Sequence, residues 1–406
     1  MGDLHASRLA TSAAGLIQQS SDDPPMRIAI YHSILWSKYK GVVFSELYGL
    51  AKARGIDTAF TQIAETEDDR VVLGSVDLSF HQYPFRLLFR GTYEHVPLLR
   101  RIVSVVKDVK NNPADFTILP GYHRIEYWAM LFACVVLRRK RAVFCDSTKF
   151  DRKRTLWREI AKRVFFSMCD GYFCYGARSK DYLLSYEVEE SRIIIRYQAA
   201  ALPPTYNASE VLAYYGARPN SGSEHRFLYV GRLASEKGLW DLLNAFAEIS
   251  RRRTDVRLDL VGAGPLQAEL LRRVEDMKLS NAVNLLGAKT LDEIADLYRD
   301  STALILPSHS EPWGLVVNEA LSYGCPVVVS DVCGCVPDLV VDGVTGYSFR
   351  TGDMSALANA MDAVISLSAD RIGAARRCLN LIAGFTPQHA AAQILDGCER
   401  LLSELA

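Results

Sequence analysis

No apolar run in this 406-residue sequence reaches the roughly 18 residues a helix needs to cross a bilayer, and the best approach is 127–137. The first 25 residues carry no secretory pattern, because Asp3, His5 and Arg8 interrupt any apolar core. They end in Ser20-Ser21-Asp22-Asp23-Pro24-Pro25 and read as a mobile leader, 1–25, ahead of a domain that begins at Met26. The nine cysteines form no C-x-x-C, are odd in number, and sit largely inside apolar runs. That pattern argues for reduced, buried thiols in a cytoplasmic protein, and no metal site is read from the one close pair, Cys333-Gly334-Cys335. A net excess of either charge is also missing, with 47 Lys and Arg against 47 Asp and Glu. The balance is uneven along the chain: 28 against 19 over 26–200, and 18 against 25 over 201–406. So weak a basic half excludes a nucleic-acid binder, and it suits a surface that meets anionic phosphates or a membrane face.

The most informative stretch is 301–331, STALILPSHSEPWGLVVNEALSYGCPVVVSD. Residues 303–306 predict a buried strand, broken by Pro307, Ser308 and Ser310; Pro312 and Gly314 open a helix, Gly324 caps it, and 327–329 is a β-branched run. This is a strand–helix–strand unit of a parallel sheet. It holds two acids, Glu311 on the loop and Glu319 within the helix. Glu319 shares its face with Leu315, Val316 and Tyr323, so its carboxylate needs a hydrogen-bonding partner, and a ligand hydroxyl would serve. Glu311 precedes the free amides of Gly314, Leu315 and Val316, where the helix dipole favours an anion such as a diphosphate. Anion, polyol and two acids together suggest a nucleotide-sugar; the alternative is a glutamate that merely caps the helix.

Strand patterns at 27–31, 58–63, 71–73, 116–119, 142–145, 171–174 and 192–196 alternate with helical patterns at 42–54, 94–111, 123–137, 152–168 and 177–186. The pattern stops over 199–224, where Pro203-Pro204, Pro219, Asn220 and Ser221-Gly222-Ser223 predict an interdomain linker. It restarts with strands at 227–230, 257–261, 282–286, 303–306 and 327–330 and helices near 239–252, 265–278, 290–299, 314–323 and 353–367. The expected fold is therefore α/β, two Rossmann-like doubly wound parallel-sheet domains at 26–200 and 226–385 joined by 201–225, with a last amphipathic helix at 386–406. Gly41, in the loop after the first strand, either lets a phosphate approach the backbone or serves a turn. From Arg138 to Arg163 there are eleven Lys or Arg against three acids, with Trp157 and Phe165 interleaved. This is either a solvated helix face or a patch for anionic lipid head groups or an acceptor phosphate.

The strand at 227–230 runs into Gly231-Arg232-Leu233-Ala234-Ser235-Glu236-Lys237-Gly238. Arg232 and Lys237 can converge on one diphosphate, the first through its planar fork and the second as a point charge, unless both are simply solvated. It is no P-loop, because Gly238 is followed by Leu239. Val261-Gly262-Ala263-Gly264-Pro265 matches only part of a dinucleotide fingerprint.

In this order and on these elements, Gly231-Arg232 with Glu236-Lys237-Gly238, then Val261-Gly262-Ala263-Gly264-Pro265, then Glu311 and Glu319 around Pro312-Trp313-Gly314, the chain resembles the retaining nucleotide-sugar glycosyltransferases of the large glycosyltransferase family four, with the GT-B fold. The resemblance covers the second domain; the first resembles the family in its alternation of elements. It implies facing domains, a C-terminal helix that crosses back to the first, and Arg232 and Lys237 neutralising the donor diphosphate. Glu319 would hold the ribose hydroxyls, Glu311 the sugar hydroxyls near the reacting carbon, and the amides of Gly314 and Leu315 the phosphate. Transfer would proceed with retention, without a metal or other cofactor, the departing phosphate taking the acceptor's proton. Where many members carry a first-domain His, this chain reads Cys145-Asp146-Ser147-Thr148. Asp146 is then either the replacement hydroxyl acceptor or a helix cap, and His123 either an acceptor-side residue or a structural one; the usual glycine pair of the first loop is missing. The implied partners are a nucleotide-sugar donor and a sugar, lipid-linked or small-molecule acceptor in surface polysaccharide or glycolipid assembly; the basic first domain adds the expectation of contact with an anionic inner membrane face. A sugar-nucleotide epimerase, a phosphorylase or a catalytically silent nucleotide-sugar-binding subunit are the alternatives on this scaffold.

Overall fold

The computed structural model describes residues 25–71, 74–150, 155–218 and 224–404. Runs of Val, Ile, Leu and Phe that are too apolar to face water form the strands, and all of them pair in parallel. The first sheet holds β1 (Arg27–Ile34), β2 (Asp57–Thr66), β3 (Phe85–Thr92), β4 (Phe116–Leu119), β5 (Lys140–Cys145), β6 (Gly171–Cys174) and β7 (Ile193–Ile195), in the order β3-β2-β1-β4-β5-β6-β7. The second holds β8 (His225–Val230), β9 (Val256–Val261), β10 (Val283–Gly287), β11 (Ala303–Leu306), β12 (Val327–Ser330) and β13 (Gly346–Phe349), in the order β10-β9-β8-β11-β12-β13. Every residue of β4, β6, β11 and β12 is buried, as a strand covered by helices on both faces must be.

Helices Leu98–Asn111, Ile125–Val136, Leu156–Ser167 and Ala177–Leu184 share one core with one face of the first sheet. Helix Lys38–Ala53 covers the opposite face together with the C-terminal helix Pro387–Glu404. On the second sheet, Leu239–Arg252 and Met354–Leu367 lie on one face, and Leu315–Ser322 and Arg371–Ile382 on the other.

Several sequence expectations need correction. Val71 closes a helical turn, Asp68–Val71, instead of opening a strand, and 72–73 lie outside the described residues. The strand that pairs beyond β2 is β3, an edge strand in which only Phe89 is fully buried, so its apolar signal is diluted by Arg86, Arg90 and Gly91. The stretch 201–225, read as a linker, contains helix Ala208–Ala217, whose Val211 and Tyr215 join the second domain's core; the Tyr215 hydroxyl donates to the Tyr323 carbonyl at 2.9 Å. β13 and helix Arg371–Ile382 carried no recognised pattern. The leader 1–25 lies outside the described residues except for Pro25, as do 151–154 of the basic stretch.

The C-terminal helix fits the first sheet tightly. A methyl group on Gly397 would stand 2.8 Å from Phe173 and 2.9 Å from Ile194, and Leu401 fills the space beside Gly171. At its exposed side Arg54 pairs with Asp396 and Glu399, each at 2.6 Å. We expect Gly397→Val to lower stability by about 1–3 kcal/mol through overpacking, and Arg54→Ala by less than about 1 kcal/mol because that pair is solvated. Thermal unfolding of the two variants checks the order; equal losses would mean the helix is held by its charges.

Candidate active site

In each sheet the strand order reverses once, at β1/β4 and at β8/β11, and a crevice opens there at the carboxyl ends of the strands. In the second sheet it is flanked by loop 231–238 after β8 and loop 307–314 after β11. Gly238 lets these loops touch: it is left-handed, with φ 66°, and a Cβ would lie 2.0 Å from the Pro307 carbonyl oxygen. The His309 N–H donates to the Glu236 carbonyl at 2.8 Å, which fastens the same contact. The outcome is an ion pair across the crevice, Lys237 Nζ to Glu311 Oε2 at 2.5 Å, with both side chains only 16% exposed. On the same loop Arg232 Nη2 donates to Glu236 Oε1 at 2.7 Å, and its Nη1 lies 4.0 Å from Asp69 of the first domain. Both cations proposed for a diphosphate therefore stand together at the crevice, each clasped by a carboxylate.

Gly314, with φ 100°, caps helix Leu315–Ser322. The opening amides of a helix, here those of Leu315 and Val316, have no intrahelical acceptor. The preceding loop is pinned from behind, since Gly334 N–H donates to the Glu311 carbonyl at 2.9 Å and Cys335 N–H to the Trp313 carbonyl at 3.1 Å. Trp313 is buried; its Nε1 donates to Asn318 Oδ1 at 2.8 Å, and Asn318 Nδ2 to the Gln198 carbonyl at 2.9 Å. The partner that Glu319 needs is present in the fold: the buried Tyr298 hydroxyl donates to its Oε2 at 3.0 Å. Burial pushes the Glu319 carboxyl up to about 7, against the pull of that hydrogen bond.

The first domain meets this site edge to edge. A side chain on Gly176 would run into the Trp313 ring at 2.6 Å and Asp338 at 2.5 Å. The Ala177 N–H, at the start of a helix whose own cap residue has no side chain, donates to Asp338 Oδ2 at 3.1 Å. Asp146 lies exposed at the end of β5, and His123 exposed after β4 with its ring edge-on to Tyr127 at 5.5 Å. Both thus sit at the carboxyl edge of the first sheet. Gly41 does not: it lies inside helix Lys38–Ala53, buried, and the space of a side chain is taken by the Phe80 carbonyl at 2.7 Å and the His81 ring at 2.9 Å. Its smallness serves packing within the first domain, so the phosphate contact read for it is withdrawn.

Sequence reasoning missed Lys40, fully buried, whose Nζ donates to the Tyr175 hydroxyl at 2.5 Å. Burial, then the neighbouring Arg196, hold its ammonium well below the usual lysine range, and the charge of Asp146 opposes them. Arg196, also buried, lies over the Tyr175 and Phe144 rings. A lysine two residues ahead of a helical valine run carries no local signal of such burial. A cavity of about 300 Å³ lies elsewhere, between the 203–211 segment and helix Leu291–Asp300. None of Arg232, Lys237, Glu311 or Asp146 lines it, and its Glu210, Asp292 and Asp296 would repel a diphosphate.

Comparison with known proteins agrees with this geometry. The family described as "Glycosyl transferases group 1" matches residues 217–377. Glycogen synthase of Mycobacterium tuberculosis is 34% identical over 148 residues, 36% of this chain and 35% of that protein, so the chain spans about a third of that relative's length in the match. Among solved structures, the Anabaena protein HepE in complex with UDP and glucose superposes with a TM-score of 0.67 at 17% identity, over 92% of this chain and 99% of that one. Sucrose-phosphate synthase of Thermosynechococcus elongatus does so with a TM-score of 0.69 at 20% identity, over 93% and 100%. Two Rossmann-like domains meeting at the carboxyl edges of their sheets give the chain the GT-B fold, and its second domain is similar to the glycosyl transferases group 1 family over residues 217–377.

Proposed function

We propose that the protein transfers a sugar from a nucleoside-diphosphate sugar to a hydroxyl acceptor, with retention and without a resident metal, in the assembly of a surface polysaccharide or glycolipid at the cytoplasmic face of a membrane. The observation that carries this reading is the double clasp of Arg232 with Glu236 and Lys237 with Glu311 at the mouth of helix Leu315–Ser322. A diphosphate entering there replaces the carboxylates as partner of both cations and gains the free helix amides. Glu311, released from Lys237, becomes an acceptor for sugar hydroxyls next to the bond that breaks, and Glu319 accepts from the ribose. As the anomeric carbon–oxygen bond breaks, the negative charge that develops on the leaving diphosphate is met by groups already in place, which is the main source of rate. The departing phosphate oxygen then takes the acceptor's proton on the same face, with Asp146 accepting from the acceptor hydroxyls. Product analysis by NMR should show the donor's anomeric configuration kept; inversion would remove the retaining mechanism.

Titration calorimetry with a nucleoside diphosphate tests the clasp. Arg232→Ala should weaken binding about tenfold or more, and Lys237→Ala further, towards a hundredfold, because it also leaves Glu311 unneutralised beside the phosphates. Glu311→Gln should keep binding and lower kcat by about a hundredfold or more. Unchanged activity in any of these variants takes that residue out of the site.

The raised carboxyl of Glu319 makes two pH dependences of opposite sign. Its ionised form is the better acceptor for ribose hydroxyls, so affinity for a nucleotide-sugar, whose diphosphate diester does not titrate here, should rise as pH climbs through about 7. Folded protein keeps this proton where the unfolded chain has already lost it above the ordinary glutamate value of 4.5, so stability falls as pH rises from there to about 7 and not beyond. Glu319→Gln should flatten both profiles; a variant that keeps the wild-type slope in affinity would show that another group is titrating.

A further inference from the structure

Three helices of the first domain lie side by side on one face of its sheet: Leu98–Asn111, Ile125–Val136 and Leu156–Ser167. They are packed neighbours, with Trp128 edge-on to Phe165 at 5.1 Å and Val105, Met130 and Phe165 buried beneath. The outer face of such a layer is ordinarily polar. Here Leu99 is 77% exposed, Val136 81%, Leu156 73% and Trp157 81%, and Val103, Ile125, Phe132 and Ile160 are exposed between them.

The charges on the same helices are sorted by sign. Their three acids all turn inward: Asp108 accepts from Tyr31 and Arg86, Glu126 is buried against Tyr93, and Glu159 accepts from Tyr186 and Lys162. Arg100, Lys107, Lys110 and Arg158 are exposed, and so is Arg163, which pairs at 2.6 Å with Glu187 beyond the third helix. An apolar surface studded with cations, whose helices turn no carboxylate outward and which meets Glu187 only at its margin beside Arg163, matches an anionic bilayer, which accepts both the hydrophobic side chains and the charge. A second copy of the chain would bring like charges face to face, which disfavours a symmetric dimer through this surface.

Where the face lies gives it a use. Each helix follows a strand of a parallel sheet and so begins at the carboxyl edge, and Leu98, Leu99, Ile125, Leu156 and Trp157 stand at those beginnings. Phe150, 54% exposed, continues the rim towards Asp146, with the Arg178 guanidinium 4.8 Å from its ring centre. We propose that this rim is a membrane-docking surface which seats in an anionic leaflet and turns the acceptor side of the cleft towards the lipid. The purpose assigned to it rests on the transfer reading above; the contact itself rests on the surface alone.

Vesicle flotation of the full chain tests it, with phosphatidylcholine alone and with phosphatidylglycerol added. The protein should float with the anionic vesicles and be released by salt. Replacing both Leu156 and Trp157 by Asp should lower partitioning about tenfold or more, and Arg158→Ala or Lys107→Ala about fivefold each. All these positions are solvent-facing, and the thermal shift produced by a nucleoside diphosphate should be the same in every variant. Failure of the wild type to float, or flotation of the double Asp variant like wild type, overturns the docking surface. So does a dimer in size-exclusion chromatography that the Asp variant dissolves. If flotation behaves as expected and no nucleotide-sugar binds, the docking surface stands and the transfer reading falls.

Discussion

The 2.5 Å pair of Lys237 and Glu311 joins two loops that leave different strands on either side of the second sheet's switch point. A charge pair this sheltered gains little over an apolar contact, but removing one member leaves the other uncompensated and costs far more. A ligand that parts the two must therefore bring a replacement for each: an anion for the ammonium and hydroxyl donors for the carboxylate, a few ångströms apart. Arg232 and Glu236 impose the same condition one turn away. Phosphate alone satisfies half of it, and a neutral sugar the other half. A sugar joined to a diphosphate satisfies both, so the resting pairs themselves select against partial ligands.

Helix Leu315–Ser322 is tied to the domain boundary by side-chain contacts. Trp313 sits one residue ahead of the capping Gly314, holds Asn318 through its indole N–H, and bears on Gly176 at the tip of β6. Next to it Asp338 caps a first-domain helix from the second domain, which places an acid where the dipole wants one. Burial pushes the Asp338 carboxyl up to about 6, so this cap is held between competing demands of desolvation and hydrogen bonding. Any change in the angle between the sheets must move Trp313 or break this cap.

Much of this was legible from residue order, because parallel strands buried on both faces and glycine-bounded loops leave local signatures. β6, β11 and β12 and helix Leu239–Arg252 fall on their expected bounds. The loops that carry Arg232, Lys237 and Glu311 also lie where expected, since topology alone delivers the ends of β8 and β11 to the same place, and Glu319 follows inside the helix after β11. What escaped was set by pairing across the chain. β3 is an edge strand with one fully buried residue, and Gly346–Phe349 buries only its two end residues, so neither reads as an apolar run. Gly41 reads as a loop glycine until the 78–81 turn is seen to press on it. The carboxylates that hold Arg232 and Lys237 in the resting site, and the tyrosine that holds Glu319, are contacts of side chains whose sequence spacing says nothing about their meeting.

The uneven resemblance has a physical cause. A diphosphate presents the same charge and geometry whatever is attached to it, so a site that neutralises one needs two cations, a helix start and little else, and in the proposed reading these fall within the matched residues 217–377. The acceptor side faces no common chemical group. In the proposed reading that side carries an exposed carboxylate at the end of β5, a buried lysine whose ammonium is held well below the usual range by burial, and a buried guanidinium over the Tyr175 and Phe144 rings. Tyr175 connects these to the donor side, since it accepts from Lys40 and packs in the same cluster as Trp313. A change of acceptor can be accommodated in Asp146 and the loops around it without touching that stack, whereas a change in the stack would alter the contact on which Trp313, and through it the diphosphate site, is set. Asp146, exposed at the rim, and Trp313, buried at the boundary, thus answer to different demands.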